Sequence, residues 1–413
     1  MPRVWFLNIE HVVDPVSAQK AMHGHVGRYL LLMEKGDYII TPVKLDPDFL
    51  EYARKMRGLP PAEEFLIELK KVSEPYSLAE SVFLNPDAVE KLRRAGAQGC
   101  RLEPFIQNKE AADTAARLGM PFSGSKYGVL AGGLGGKLND KIYFKDVARE
   151  LDIPVIEYCT ANDASGVKAA IHKVSAENKD RVILKKPCNA GGYGNLAGTE
   201  AELLARLPQW YDGGDLIIEH HKTLLETAGS LALLEDDRTD FIGADLQFVE
   251  NNAWRGCVFP NSSKAYAAQV QKHTMAFSEY LRAKGVRGYV NLDWAIIENP
   301  DGAPRLCALE CNFRHNGFSF IVEGAQGIFG LKKERASIIY YYAFDINEKY
   351  DSVKKIEPLL TALNEGFAQT NNKGGVVLAG VPHEGHVPLF LAAETENLSS
   401  NLNILAAQVL NRV

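Results

Sequence analysis

The chain has 413 residues, 46% of them hydrophobic and 24% charged, a globular composition with apolar material for two or three domains. Its 46 basic and 52 acidic residues leave a net charge of -6, and basic runs such as Lys70-Lys71, Lys185-Lys186 and Lys332-Lys333 are short. Runs of that length make no nucleic-acid patch, so neither nucleic acid nor a membrane surface is expected as a partner.

The opening Val4–Ile9 predicts a β-strand rather than a secretory leader, because Glu10, His11 and Asp14 follow at once. Tyr38–Val43 and Arg101–Ile106 predict further strands, and Pro47–Arg57 and Pro86–Ala95 predict helices. This alternation points to an open α/β domain over residues 1–125. Gly124, Gly128, Gly132-Gly133 and Gly135-Gly136 then read as a linker or loop; their spacing is not that of a P-loop. Helices are predicted at Asn139–Leu151, Asp163–Glu177 and Glu200–Leu207. Strands are predicted at Ile153–Tyr158, Arg181–Lys186 and Asp215–His220, with Leu196–Gly198 returning as a hairpin arm. Strands at 227–235, 241–249 and 254–259 are close enough in sequence to pair antiparallel. A long helix over 265–284 precedes a hairpin of 289–298 and 304–310. Helices at 332–348 and 353–368, strands at 375–381 and 387–393, and a last helix close the chain. No stretch reaches the roughly 20 apolar residues of a spanning helix, and the six cysteines form no Cys-x-x-Cys, so a cytoplasmic protein with free thiols is expected.

The hairpin carries the strongest chemical signal. Side chains alternate along a strand, so Glu310, Asn312 and Arg314 share one face, and Asp293 on the neighbouring strand can join them. Two carboxylates and an amide oxygen suit Mg²⁺, which takes its remaining ligands from water and phosphate. A guanidinium beside them can stabilise charge on a phosphoryl group in transfer. Upstream, the apolar strand 182–184 ends in Lys185-Lys186, followed by a glycine-rich turn with Gly191, Gly192 and Gly194, a combination suited to phosphate. Leu216-Ile217-Ile218-Glu219-His220 could present backbone groups to an adenine edge, and Glu226 stands seven positions beyond Glu219. His220-His221 point to opposite faces of a strand and make no metal site. His383-Glu384-Gly385-His386 reads as a turn.

Taken in order, these stretches resemble the ATP-grasp superfamily over residues 125–330: a lysine opening a helix that ends in Ile-Pro, a strand-Lys-Pro-Gly loop, Ile-Ile-Glu, a second Glu, then Asp-Trp and Glu-x-Asn-x-Arg. The resemblance implies an N-terminal α/β pre-ATP-grasp domain (1–125). A two-lobed ATP-grasp fold with antiparallel sheets would follow (126–220 and 221–330), then a C-terminal α/β segment packing on the large lobe (331–413). It implies ATP and Mg²⁺ as cofactors. Lys141 and Lys186 would contact phosphate, and Gly191, Gly192 and Gly194 would form a flap. Glu219, His220 and Lys222 would meet adenine, and Glu226 the ribose. Asp293, Glu310 and Asn312 would hold the metal, and Arg314 would act on the transferred phosphoryl group. The layout is similar to amino-acid and peptide ligases of secondary metabolism, including the pheganomycin type. Such enzymes join a carboxylate to an amine through an acylphosphate, some of their kin use a thiol acceptor, and many are homodimers. Asn291 stands where some relatives carry a basic residue for the acyl intermediate. Arg255 and Arg287 are candidates to replace it, and Asn261, Ser262, Ser263, His315 and Asn316 are candidates to line the substrate pocket. A binding protein without catalysis and a thiol-accepting ligase are the alternatives.

Overall fold

A computed structural model describes residues 1–12, 26–178, 181–188, 194–250, 253–260, 266–298 and 302–411. Three sheets organise them. In the first, β1 (Arg3–Phe6), β2 (Tyr38–Thr41), β3 (Leu66–Glu68) and β4 (Arg101–Pro104) run parallel in the order β3-β2-β1-β4. Helices α1 (Pro47–Arg57), α2 (Pro86–Ala97) and α3 (Lys109–Leu118) lie between and after them. Asp46 caps α1 by accepting the Phe49 N–H, and Gly58 ends it in the left-handed region, a start and stop readable in sequence.

The glycines at 124–136 do not form the expected linker. Two short helices, Tyr127–Ala131 and Leu134–Lys137, fill this stretch. Gly135 is required by contact: a Cβ there would lie 2.0 Å from the Gln107 carbonyl oxygen.

The second sheet is antiparallel, in the order β5-β8-β6-β7. It comprises β5 (Tyr158–Ala161), β6 (Val182–Lys185), β7 (Asn195–Gly198) and β8 (Leu216–His220), with helices α4 (Lys141–Glu150), α5 (Ala164–Asn178) and α6 (Glu200–Trp210). The strand predicted at Ile153–Tyr158 starts later than expected. Its early part makes a single bridge, Val155 to Ala308, and β5 begins where β8 offers a partner.

Eight antiparallel strands form the third sheet, in the order β13-β12-β9-β10-β11-β14-β16-β15. The chain runs through β9 (Leu224–Leu234), β10 (Thr239–Glu250), β11 (Ala253–Phe259), α7 (Ala267–Ala283), β12 (Gly288–Glu298), β13 (Pro304–Asn312), α8 (Gly317–Phe329), β14 (Ser337–Asp345), α9 (Val353–Ala368), β15 (Gly374–Leu378), β16 (His386–Ala393) and α10 (Glu396–Leu410). The helix expected over 332–348 is thus β14, a strand. Its Ile-Ile-Tyr-Tyr-Tyr run favours a pleated surface, and β11 on one side and β16 on the other complete its hydrogen bonds. The C-terminal strands therefore extend the sheet that begins at β9.

This sheet has two unlike faces. On one, α7 packs down: Thr274 meets the Ser230 hydroxyl at 2.7 Å, and that hydroxyl accepts the Trp294 indole N–H at 2.8 Å. On the other face lie Asp293, Gly229 and Asp245, and there the chemistry collects. No helix among the described residues is long and apolar enough to cross a membrane. Cys100, Cys159, Cys188, Cys257, Cys307 and Cys311 are all free.

Candidate active site

Register places the predicted cluster. Asp293 pairs with Glu310, and Asn291 with Asn312, across β12 and β13. The Asn312 amide donates to Asp293 Oδ2 at 2.7 Å and to Asn291 Oδ1 at 3.2 Å. Gln247 of β10 donates to Asp293 Oδ1 at 2.9 Å, reaching across β9. It can do so because the residue between is Gly229, where a Cβ would lie 2.9 Å from Gln247 Nε2 and 2.6 Å from Asp245 Oδ1. Asp245 is buried, accepts the Gly229 N–H at 2.6 Å, and burial pushes its carboxyl up to about 7. Sequence reasoning missed both Gln247 and Asp245, since neither lies in a run that signals chemistry.

Lys141 Nζ stands 2.7 Å from Glu310 Oε2. Burial works to raise the Glu310 carboxyl, but Lys141 and Arg314 outweigh it and hold the group low. Burial pushes Asp293 well up, and the Glu310 charge pushes it further. Arg314 donates from Nη1 to Asn139 Oδ1, and burial pulls its guanidinium below the ordinary value while Glu310 and Asp293 favour its charge. The donor set fits a hard divalent cation: two carboxylates face each other across β12 and β13, and one of them, Glu310, already holds an ammonium. Asn312 turns its nitrogen toward Asp293, so ligation through Asn312 requires its oxygen to be turned inward.

A second cluster lies on the facing sheet. Glu219 of β8 is fully buried, with Lys145 Nζ 2.7 Å from one carboxylate oxygen and Lys185 Nζ 2.7 Å from the other. Burial would raise Glu219, but the two lysines bring it down to about 2. Lys145 follows Lys141 by one turn of α4, so a single helix supplies one lysine to each cluster. Ile156, Ala295, Ile297 and Cys307, with Leu309, make a small apolar patch between the lobes. Ala295 and Ile297 share the Asp293 face of β12 by alternation.

Several predicted residues stand elsewhere. Lys186 turns away from Glu219 and pairs with Asp212 at 2.8 Å, above the Trp210 ring; of the two adjacent lysines, Lys185 takes the inward face because Glu219 of the neighbouring strand points the same way. Gly191 and Gly192 lie outside the described residues, as do Asn261, Ser262 and Ser263. Gly194 is described, and its carbonyl accepts the Lys186 N–H at 2.9 Å. Glu226, expected at the ribose, pairs with Ile296 and takes the α7 face of the sheet, opposite Asp293, lining a recess with Ala228, Trp294 and Leu306. His220 is buried and Lys222 half-buried in the segment leaving Glu219.

Neither candidate arginine reaches the cluster. Arg255 falls where the β10–β11 register shifts and pairs with Glu250 at 3.2 Å. Arg287 sits before β12, bound to Asp236 at 2.8 Å and to the Val286 carbonyl at 2.7 Å. Asn316 is committed as the cap of α8, accepting the Ser319 N–H at 2.9 Å. His315 is buried against Glu103 at 3.2 Å, among the rings of Trp5, Tyr29 and Tyr289.

Residues 26–120 match the family model of the pre ATP-grasp domain. A search of curated protein sequences finds no match. Among solved structures, N5-carboxyaminoimidazole synthase from Aspergillus clavatus, in complex with ADP and 5-aminoimidazole ribonucleotide, is 13% identical with a TM-score of 0.59, over 99% of this chain and 98% of that one. The chain has the ATP-grasp fold. N5-carboxyaminoimidazole synthetase from Staphylococcus aureus complexed with ADP is similar at 9% identity and TM-score 0.59, covering 99% and 97%. Biotin carboxylase from Campylobacter jejuni, as a beta-gamma-ATP complex, gives 14% identity and TM-score 0.60 over 99% and 91%. The pre-ATP-grasp domain and the antiparallel lobes expected from the sequence are thus present.

Proposed function

We propose that the protein is an ATP-dependent ligase that joins a carboxylate to an amine through an acylphosphate, with an amino acid or small peptide among its substrates. The observation that carries this reading is the facing pair Asp293–Glu310, bordered by Lys141, with Arg314 four residues beyond Glu310. Phosphoryl transfer asks for positioning and charge neutralisation more than covalent help, and these side chains supply both. Asp293, Glu310 and, once its amide is turned, Asn312 would hold Mg²⁺, which neutralises phosphate charge when bound. Lys185 and Lys141 would meet the phosphates by leaving Glu219 and Glu310. The adenine would lie against Ile156, Ala295 and Cys307. Arg314 would face the γ-phosphate.

In this scheme a substrate carboxylate oxygen forms a bond to the γ-phosphorus while the bond to the ADP oxygen breaks. The amine nitrogen then bonds to the acyl carbon, phosphate leaves with the acyl C–O electrons, and the amine loses a proton. We take residues 1–125 as the pre-ATP-grasp domain, 126–220 and 221–330 as the two lobes, and 331–413 as a C-terminal continuation.

The test is incubation with Mg-ATP and pooled amino acids, following ADP, AMP and phosphate, beside Glu310→Ala. ADP and phosphate release that needs the pool and disappears in the variant supports the reading. AMP release would mean adenylation and would refute it.

A further inference from the structure

The start of α4 and the residues just before it are tied to the end of β13 and the residues that follow. Lys141 reaches Glu310, and Asn139, two residues earlier, reaches Arg314. Asn139 is 8% exposed and uses both ends of its amide. Its Oδ1 accepts the Phe313 N–H at 3.1 Å and the Arg314 guanidinium; its Nδ2 donates to the Phe313 carbonyl at 3.4 Å and to the Gly135 carbonyl at 3.2 Å. β13 ends at Asn312, where pairing with β12 stops. The Phe313 backbone would there lose its ladder, and the Asn139 amide replaces the missing strand on both its N–H and its C=O. The Arg314 main chain bridges to Ile106, just beyond β4. The backbone of this arginine is thus tied to the N-terminal domain, and its head to Asn139.

An arginine side chain has about 2 kcal/mol of rotamer freedom to lose, and an anchor at one guanidinium nitrogen removes much of it before a ligand arrives. We propose that Asn139 is a positioning residue that aims the Arg314 guanidinium at the terminal phosphate of a bound nucleoside triphosphate. This rests on the ATP reading above. Asn139 does not touch the nucleotide in this scheme and acts through Arg314.

A residue that serves only the γ-phosphate affects triphosphate and diphosphate differently, and that separates positioning from mere support of the fold. The experiment measures equilibrium binding of Mg-ADP and of the Mg complex of the β,γ-imido analogue of ATP to the full chain. It compares wild type, Arg314→Ala, Asn139→Leu, Asn139→Asp and the double variant Arg314→Ala/Asn139→Leu. Loss of one charge-assisted contact corresponds to about 10- to 100-fold in affinity. Arg314→Ala should weaken the triphosphate analogue by about that factor and leave Mg-ADP within about twofold. Asn139→Leu should shift the same ratio by about tenfold or more, and in the Arg314→Ala background should add nothing. Asn139→Asp keeps the Oδ1 acceptor but loses the Nδ2 donor to Phe313 and Gly135, so its ratio should fall between those of wild type and Asn139→Leu. Equal weakening of both nucleotides by Asn139→Leu, an unchanged ratio, or a full effect in the absence of Arg314 would overturn the inference while leaving the ATP site standing. Wild-type protein that binds neither nucleotide would overturn the ATP reading itself, and this inference with it.

Discussion

Glu219 and the Asp293–Glu310 pair look alike in parts and differ in balance. Each places acid on one of two facing sheets, and each takes a lysine from α4. Glu219 has two ammonium partners and side-chain exposure of 0%, so its surroundings carry an excess of positive charge. Glu310 has an ammonium partner, Lys141, with the Arg314 guanidinium nearby, Asp293 faces it as a second acid, and the Glu310 side chain remains 23% exposed. The first arrangement is built to receive an anion once a lysine is released, the second to receive a cation. One helix thus spans two sites of opposite appetite, and the distance between them is fixed by a single helical turn, about 5.4 Å of rise.

The sharpest way to break this division is at Arg314, which borders only the cation side. Arg314→Ala should lower the rate of ADP release under turnover by about 10²–10³-fold, with ADP affinity kept. A loss confined to nucleotide affinity would assign Arg314 to the other cluster. Next in size, Glu219→Ala leaves Lys145 fully buried and without its carboxylate, a loss expected to cost about 3–5 kcal/mol in urea unfolding. Glu310→Ala should cost less, because the Glu310 side chain is already 23% exposed and its site is not sealed as that of Glu219 is. Comparable costs at the two positions would remove the distinction between a sealed site and an open one.

The balance also predicts a pH signature. The Glu219 carboxyl is lowered from an ordinary value of 4.5 to about 2 in the folded chain. The unfolded chain therefore takes up its proton first as pH falls, and stability from Glu219 is fully present above about 4.5 and lost on the way to about 2. The advantage of wild type over Glu219→Gln in thermal midpoint should be constant from pH 7 to 5 and shrink below that. A difference that grows on acidification would contradict the depressed carboxyl. The smallest effect belongs to Lys186. Its pair with Asp212 is a surface contact worth about 0–1 kcal/mol, so Lys186→Ala should barely alter stability or ADP binding, whereas Lys185→Ala should weaken ADP binding markedly. The reverse ranking would restore the assignment made from sequence.

That last pair shows where the sequence stops being legible. Strand alternation says that Lys185 and Lys186 face opposite ways, but only the neighbouring Glu219 decides which face is inward. Glu310, Asn312 and Asp293 were legible because two strands adjacent in sequence pair with each other and fix their relation locally. Gln247 and Asp245 were not, because they reach the cluster over Gly229 from a strand whose place depends on the whole sheet. Lys145 carries no sequence signal of its own, and only the packing of β8 against α4 sets it beside Glu219. Arg255 and Arg287 failed as candidates for a related reason: each finds an acid, Glu250 or Asp236, beside its own strand end. At 337–345 tertiary pairing decided the matter, since only β11 and β16 make a strand of a segment that also suits a helix.

The central claim is that the two clusters divide nucleotide from cation, and one binding experiment addresses it. ADP affinity would be measured with and without Mg²⁺ for wild type, Lys185→Ala and Glu310→Ala. The account predicts that Lys185→Ala loses affinity in both conditions, while Glu310→Ala keeps the metal-free affinity and loses the gain from Mg²⁺. A Glu310→Ala protein that still responds fully to Mg²⁺, or a Lys185→Ala protein that binds ADP as wild type does, would contradict it.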